Sequence, residues 1–195
     1  MRANSVKPSF DGVTIVFHWI TVGLVLAAFG AGLAHEQLHG PSVEIVLAIH
    51  RLLGLCIYLV TAFRLVWRRT GAYLPPFPDS LGAFHRLVVK LNEYALYAFL
   101  FLQPLTGLAQ SVYRGKQIDL FLWQLPVLAQ RDKAAVVFFH QLHEFGAIGL
   151  ALLIGGHASA ALVHHLILRD EILTRIVPGI EPRRQARPKL CRRAF

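Results

Sequence analysis

Apolar residues along this chain fall into four long stretches separated by shorter polar connections. The stretches cover residues 13–34, 44–67, 87–112 and 134–168, and charged residues are rare within them. About 20 predominantly apolar residues are enough for a helix to cross the hydrocarbon core of a bilayer. The pattern therefore predicts an all-α integral membrane protein, in which residues 1–168 form a four-helix bundle and residues 169–195 form a separate tail.

Breaks and irregular residues refine these four spans. Gly40 and Pro41 interrupt the chain between the first two spans, and Pro104 is expected to kink the third. Residues 134–168 would form a helix about 50 Å long, so one or both of its ends should protrude from the bilayer. Residues 118–128 are largely apolar but too short to cross, and we expect them to lie in the membrane interface.

The charge of the chain is basic and unevenly placed. Hydrophobic residues make up 55% of the sequence, and 20 lysines and arginines against 11 acidic residues give a net charge of +9. The basic residues lie between and after the apolar stretches, not interleaved with aromatics over a folded face, which argues against nucleic-acid binding. Topology explains them better, because positive charge accumulates in the cytoplasmic segments of membrane proteins.

The distribution of lysine and arginine orients the bundle. The connection between the first two spans has none, whereas Arg2 and Lys7 precede span one and the tail contains many. Four more lie around the second connection: Arg68, Arg69, Arg86 and Lys90. The positive-inside rule therefore predicts that both termini are cytoplasmic. The third connection weakens this bias through Arg114, Lys116, Arg131 and Lys133, although it also contains two aspartates. The tail carries six basic residues between 183 and 193, and we expect it to bind anionic lipid headgroups.

Histidines inside the apolar stretches carry the chemical signal, because ionisable residues within a membrane are costly and normally functional. His143 and His157 are fourteen residues apart in the fourth span. On a helix this spacing gives a rise of about 21 Å and an offset of about 40°, so both imidazoles face the same way at different depths. With both termini inside, His50 matches the depth of His143 near the outer surface, and His18 matches His157 near the inner one.

Two pairs of histidines at matched depths suit two iron porphyrins. An iron porphyrin takes one axial ligand from each side, and facing helices of a bundle can supply both. We therefore expect an outer haem on His50 and His143 and an inner haem on His18 and His157. Since two histidines close both axial positions of the iron, each haem would transfer electrons and not bind oxygen. The alternative for any single imidazole is a hydrogen bond between helices.

Other polar residues near these depths are candidates for supporting roles. Arg51 and Arg64 are costly in a membrane unless they are paired, and haem propionates would be suitable partners. His164 and His165 follow His157 in the fourth span, where one of them could line a pocket at the inner haem edge or extend to the interface. Four further histidines are not expected to be ligands: His35, His39, His85 and His140.

A second pattern favours a different class of protein. Residues 35–39, His-Glu-Gln-Leu-His, match the HExxH pattern, in which two histidines one helical turn apart bind zinc and the glutamate activates water. Gly40 and Pro41 follow at once, and the motif falls in an outer connection without an obvious third ligand. We therefore consider an intramembrane zinc protease unlikely. A haem-free structural subunit is a third class and predicts neither metal.

The sequence resembles the bacterial four-helix cytochrome b561 family over nearly everything except the tail. The resemblance is carried by Phe17-His18-Trp19, Ile49-His50 with Gly54, Arg64-Leu65, Pro104 with Gly107, His143-Glu144, His157 and His164-His165. Arg51, the 35–39 motif and the longer basic tail depart from some members, which leaves the electron donor and any partner contact open.

The resemblance implies a membrane cytochrome with two haem b groups on His18, His50, His143 and His157. It also implies electron exchange with the ubiquinone pool in the bacterial inner membrane, with His164 and His165 as candidates for a quinone pocket. Some relatives pass an electron from superoxide to ubiquinone, whereas others are membrane anchors of hydrogenases. Superoxide or a redox partner protein is therefore the expected electron donor, and the anchor role is the alternative.

Overall fold

The computed structural model describes residues 9–77, 82–168 and 173–177 and consists almost entirely of helix. Its four long helices are α1 (Gly12–Gln37), α2 (Pro41–Thr70), α3 (Ala83–Tyr113) and α4 (Lys133–Leu166), with strands β1 (Ile118–Asp119) and β2 (Gln124–Leu125) and a short 3-10 turn (Leu173–Arg175). All four long helices have the length and composition to cross a membrane. The predicted all-α membrane bundle is confirmed.

The ends of the helices follow local sequence signals. The side chains of Asp11 and Asp132 accept hydrogen bonds from the first turns of α1 and α4, and Pro41 begins α2. Pro104 lies within α3, which continues through it. The helices extend beyond the expected spans by one to four residues at most ends, and α4 ends at Leu166 instead of Leu168.

The helices pack as two antiparallel hairpins. Close backbone packing joins α1 to α2, α3 to α4 and α2 to α3, whereas in the described part of the chain α4 stays farther from α1 and α2. Among the described residues, four buried side chains pack together as a cluster: Val25, Ala28, Ile57 and Leu100. Large apolar side chains remain exposed, for example Phe145 at 70% and Leu152 at 72%. Apolar exposure of this extent suits helices that are surrounded by lipid.

The connection between α3 and α4 forms a small hairpin across one end of the bundle, which we call the hairpin end. β1 pairs with β2 in antiparallel register, and β1 packs on α2. Ile118 and Leu120 are buried, while Phe121, Leu122 and Trp123 at the turn are exposed. The segment expected to lie in the interface is thus attached to the bundle through one face and presents apolar side chains on the other.

The opposite end of the bundle, where α1 begins and α4 ends, is called the terminal end. Here the Asp11 carboxylate accepts hydrogen bonds from the backbone and hydroxyl of Thr14, from Trp67 Nε1 and from the backbone of Tyr73. Burial alone would raise the pKa of Asp11, but these four hydrogen bonds outweigh it and lower the pKa to about 2. Asp11 therefore joins the start of α1 to the end of α2.

Two arginines of α2 join it to α3 near the same end. Arg68 forms a two-pronged ion pair with Glu93, with nitrogen–oxygen distances of 2.6 and 3.0 Å. One turn earlier, the guanidinium of Arg64 lies over the ring of Tyr97, 5.4 Å from its centre. These contacts fix how α2 and α3 are rotated relative to each other.

Residues 173–177, which we call the terminal cap, lie against the terminal end. The carbonyl of Arg175 accepts from the backbone of Phe10 at 3.4 Å, and the carbonyl of Ile176 accepts from Trp19 Nε1 at 3.0 Å. The 3-10 turn also packs on α4. The basic residues predicted to bind lipid, at 183–193, lie outside the described residues, as do Arg2, Lys7 and Cys191.

Cys56 is a half-buried free thiol.

Candidate functional site

The four predicted histidines meet as two pairs between helices. The rings of His50 from α2 and His143 from α4 have centroids 6.0 Å apart. The rings of His18 from α1 and His157 from α4 have centroids 6.4 Å apart. We call these the hairpin-end pair and the terminal-end pair. The pairing that depth alone suggested is the pairing in the structure.

Hydrogen bonds fix which nitrogen faces inward in the hairpin-end pair. His50 Nδ1 lies 2.9 Å from the carbonyl oxygen of Ala28, and His143 Nδ1 lies 3.0 Å from the carbonyl oxygen of Gln103. A carbonyl oxygen can only accept, so Nδ1 must carry the proton in both rings. The lone pair of each ring is therefore on Nε2, the nitrogen that a metal ion would use.

Space for these two rings is made by glycines on the neighbouring helices. A Cβ on Gly32 would lie 3.3 Å from Cε1 of His50, and a Cβ on Gly107 would lie 3.0 Å from Cε1 of His143. Thr106 adds a second contact behind His143, with its hydroxyl oxygen 3.0 Å from Nδ1. The ring of His143 is thus held between a close helix surface and two hydrogen-bonding groups.

The terminal-end pair has different surroundings. The ring of His18 meets Trp19 edge-on at a centroid distance of 5.5 Å. Arg64 is within electrostatic range of both His18 and His157, so a positive charge lies beside this pair. Among the described residues, neither ring has a backbone carbonyl behind it comparable to those of the hairpin-end pair. The two sites therefore differ in the basicity that the protein imposes on its imidazoles.

These arrangements fit a haem between each pair. Imidazole nitrogens bind transition-metal ions at about 2 Å, so two rings on opposite sides of one ion have centroids roughly 6 Å apart. Both pairs have this separation. Each pair also joins α4 to a helix whose backbone stays apart from it, which leaves room for a flat macrocycle between them. Along α4, the two sites are separated by a rise of about 21 Å.

The other site residues predicted from the sequence lie at both ends of the bundle. Arg51 donates to the carbonyl of Asp119 in β1 at 3.3 Å and thereby fixes the hairpin above His50. Arg64 lies beside the terminal-end pair. His164 and His165 are half-buried in the last turn of α4, at the terminal end. The assignment of the arginines to propionates and of these two histidines to a quinone pocket stays a prediction.

The histidines set aside in the sequence lie elsewhere. His140 is 3.2 Å from the Gln110 amide nitrogen and 3.9 Å from Glu144, which gives that glutamate a partner on the same helix. In the 35–39 motif, α1 ends at Gln37, so His39 lies beyond the helix and does not share one helical turn with His35. In the part of the chain that the structure describes, no group of three metal-binding side chains assembles.

Gln103 and Thr106 belong to the candidate site, and sequence reasoning missed them. Both contact His143, and the Gln103 side chain also donates to the backbone carbonyl of His143. A signal was present, because polar side chains within a membrane span tend to face protein and not lipid. Their target could not be read from the sequence, since it depends on how α3 and α4 are rotated against each other.

A basic surface lies at the hairpin end. The backbones of Gly115 and Arg131 approach closely, and Asp132 donates its N–H to the carbonyl of Tyr113. These contacts bring four basic residues of the connection together: Arg114, Lys116, Arg131 and Lys133. Arg114 is also within electrostatic range of Arg51. The acidic residues of the connection are engaged locally, since Asp132 caps α4 and Asp119 accepts from Phe121.

Comparison with known proteins gives consistent matches along the whole described chain. The family described as prokaryotic cytochrome b561 matches residues 9–179. Cytochrome b561 homolog 2 of Escherichia coli is 27% identical over 184 residues, covering 91% of this chain and 95% of its own. Cytochrome b561 homolog 1 of the same organism is 26% identical, covering 87% and 97%. The Yersinia pestis protein named "Probable superoxide oxidase CybB" is 26% identical, covering 87% and 96%.

Proposed function

Because the chain belongs to the prokaryotic cytochrome b561 family, a group of membrane b-type cytochromes that transfer electrons, we propose that it carries electrons across the membrane through two haem b sites. The donor that we propose is superoxide, and the acceptor is the ubiquinone pool. The observation that supports this most directly is the pair of stacked bis-histidine sites between α4 and the α1–α2 hairpin.

We propose that His50 with His143 would hold one haem and that His18 with His157 would hold the other. A haem held by two imidazoles would supply a one-electron redox centre with no coordination site open to oxygen. At the hairpin end, the carbonyls behind Nδ1 hold both rings in the tautomer and orientation that ligation needs, and they increase the basicity of Nε2.

The charge around the two sites supports a direction for the transfer. Superoxide is an anion, and the basic surface at the hairpin end would increase its local concentration. Two superoxide anions each lose one electron to give dioxygen, and one ubiquinone takes up both electrons with two protons. We place the quinone near His164 and His165, because these two histidines lie at the terminal end. In the proposed direction, the haem at that end would be the second to receive the electron.

The membrane placement follows from the same sequence features. We propose a bacterial inner-membrane location with both termini cytoplasmic, which puts the basic surface of the hairpin end outside. The lipid contacts of the helices are supplied by their exposed apolar faces. The exposed apolar turn of the hairpin suits the outward-facing interface of the inner membrane.

The test uses purified protein in detergent or vesicles. Superoxide generated in solution should reduce the haems, as seen in the optical spectrum, and a soluble ubiquinone analogue should reoxidise them. Superoxide dismutase should abolish the reduction, which controls for other reductants. Two haems that do not respond to superoxide would contradict the proposed donor and would favour the alternative role, an electron-transfer anchor for a partner enzyme such as a hydrogenase.

A further inference from the structure

The hydroxyl of Thr106 makes two polar contacts behind the ring of His143. It donates to the carbonyl oxygen of Gln103, one turn earlier in α3, at 2.8 Å, and its oxygen lies 3.0 Å from Nδ1 of His143. A hydroxyl has a single hydrogen, and here that hydrogen is directed at the carbonyl. The oxygen therefore presents a lone pair to Nδ1 and accepts a hydrogen bond from it.

Nδ1 of His143 thus faces two acceptors. The carbonyl oxygen of Gln103 lies 3.0 Å from Nδ1, so this oxygen and the Thr106 hydroxyl oxygen share one N–H. Because the hydroxyl also donates to the same carbonyl, the three groups form a closed network in which each hydrogen bond polarises the next. Hydrogen bonding from Nδ1 makes Nε2 of the ring more basic.

The network is held in place from two sides. The side-chain amide of Gln103 donates to the backbone carbonyl of His143, so α3 contacts both the ring and the backbone of this residue. A Cβ on Gly107 would lie 3.0 Å from Cε1 of the ring, which shows how closely α3 confines it. The contact between Thr106 and Nδ1 is therefore fixed by the packing of α3 against α4.

The charge near the terminal-end pair acts in the opposite sense. Arg64 is within electrostatic range of both His18 and His157. Glu93 is also within range of His157, but its carboxylate is paired with Arg68. A positive charge beside an iron centre favours the ferrous form, whereas a more basic axial ligand favours the ferric form. The surroundings of the two pairs would therefore shift their potentials in opposite directions.

We propose that Thr106 is a positioning residue that acts through His143 to lower the midpoint potential of a haem at the hairpin-end pair. This inference rests on the proposed function, because it requires a haem held by His50 and His143. An acceptor at Nδ1 strengthens the electron donation of Nε2 and thereby stabilises ferric iron. In this role the hydroxyl favours onward transfer of an electron from the hairpin end to the terminal end.

The test is a redox titration of the holoprotein carrying Thr106→Val, which replaces the hydroxyl by a methyl group of similar size. Loss of one acceptor should shift the ferric-to-ferrous equilibrium of the hairpin-end haem roughly 2- to 10-fold toward ferrous iron. Its midpoint potential should therefore rise, and a tenfold shift corresponds to about 59 mV for one electron. The terminal-end haem should keep its midpoint. The component that is absent in His143→Ala identifies the hairpin-end haem.

Three further variants separate the hydroxyl from the volume of the side chain. Thr106→Ala also lacks the hydroxyl and should raise the same midpoint, whereas Thr106→Ser retains the hydroxyl and should keep the wild-type value. Ser111→Ala is the matched control in α3, because the Ser111 hydroxyl donates to the carbonyl of Gly107, one turn earlier, at 3.0 Å. This variant should leave both midpoints unchanged.

Several results would overturn the inference. Unchanged midpoints in both Thr106→Val and Thr106→Ala, a fall instead of a rise, or equal shifts of both haems would each exclude an effect through His143. A shift in Thr106→Ser as large as that in Thr106→Ala would assign the effect to packing, as would loss of the hairpin-end haem from all three Thr106 variants. By contrast, a wild-type protein without haem at the hairpin-end pair would contradict the proposed function itself.

Discussion

The ring of His143 lies so close to Gly107 that replacing this glycine by alanine should affect one haem site selectively. A Cβ at this position would lie 3.0 Å from Cε1 and 3.3 Å from Nδ1 of the ring. The ring cannot move away freely, because the Gln103 carbonyl and the Thr106 hydroxyl both hold Nδ1 at 3.0 Å. Gly107→Ala should therefore displace the ring and weaken these contacts.

The magnitude follows from the contacts that are lost. A hydrogen bond of this kind contributes about 0.5–1.5 kcal/mol, and loss of the partner behind a metal-binding histidine costs about 10- to 100-fold in metal affinity. Alanine instead of glycine favours a helix interior by roughly 0.5–1 kcal/mol, so the fold itself should not be destabilised to the same degree. Gly107→Ala should thus weaken the hairpin-end haem about 10- to 100-fold and leave the terminal-end haem unchanged.

The assay measures haem affinity by titrating the haem-depleted protein with haem b in the presence of a competing haem-binding protein. Binding is monitored by the absorption spectrum. Gly30→Ala is the matched control, because a Cβ on Gly30 in α1 has no neighbouring atom within 4 Å. Unchanged affinity at both sites of Gly107→Ala, or an equal loss at both, would refute the claim that His143 is held in place for ligation.

Three further predictions concern stability and electron entry. The pKa of Asp11 is lowered from 3.8 to about 2, so its carboxylate stabilises the fold above pH 3.8 and loses that effect as pH falls toward 2. In thermal unfolding, Asp11→Asn should therefore be less stable than wild type at pH 7 and equally stable near pH 2. A loss of stability that does not depend on pH would contradict this. A double-mutant cycle of Arg68→Gln and Glu93→Gln should give a coupling free energy of about 0.2–1 kcal/mol, because both side chains are partly exposed. Zero coupling would contradict the claim that this pair stabilises the packing of α2 on α3. Replacing Arg114 and Lys116 by glutamine should slow haem reduction by superoxide roughly 2- to 10-fold at low ionic strength, and the difference should shrink in high salt; equal rates in low salt would exclude steering by this surface.

The fold was predictable from the sequence because a membrane demands long apolar helices whose backbone groups are satisfied internally. The histidine pairing was predictable for a related reason. Helical rise fixes the depth of each residue once the direction of its span is known, so His143 and His157 had to meet partners at different levels. Both arguments need only distances along single helices and no knowledge of how the helices pack.

The groups behind the ligands could not be predicted in the same way. The carbonyl of Ala28 and the side chains of Gln103 and Thr106 reach the histidines only because neighbouring helices adopt particular rotations. The terminal cap is a further case, since nothing in the sequence indicates that Arg175 returns to the start of α1. Such contacts depend on packing between segments that are far apart in the chain.

The spectral and chemical quantification of haem in purified wild type, His143→Ala and His157→Ala tests the central claim most directly. The account predicts two haem b groups per wild-type chain and one in each variant, with the hairpin-end haem missing from the first and the terminal-end haem missing from the second. Two haems in either variant would contradict it.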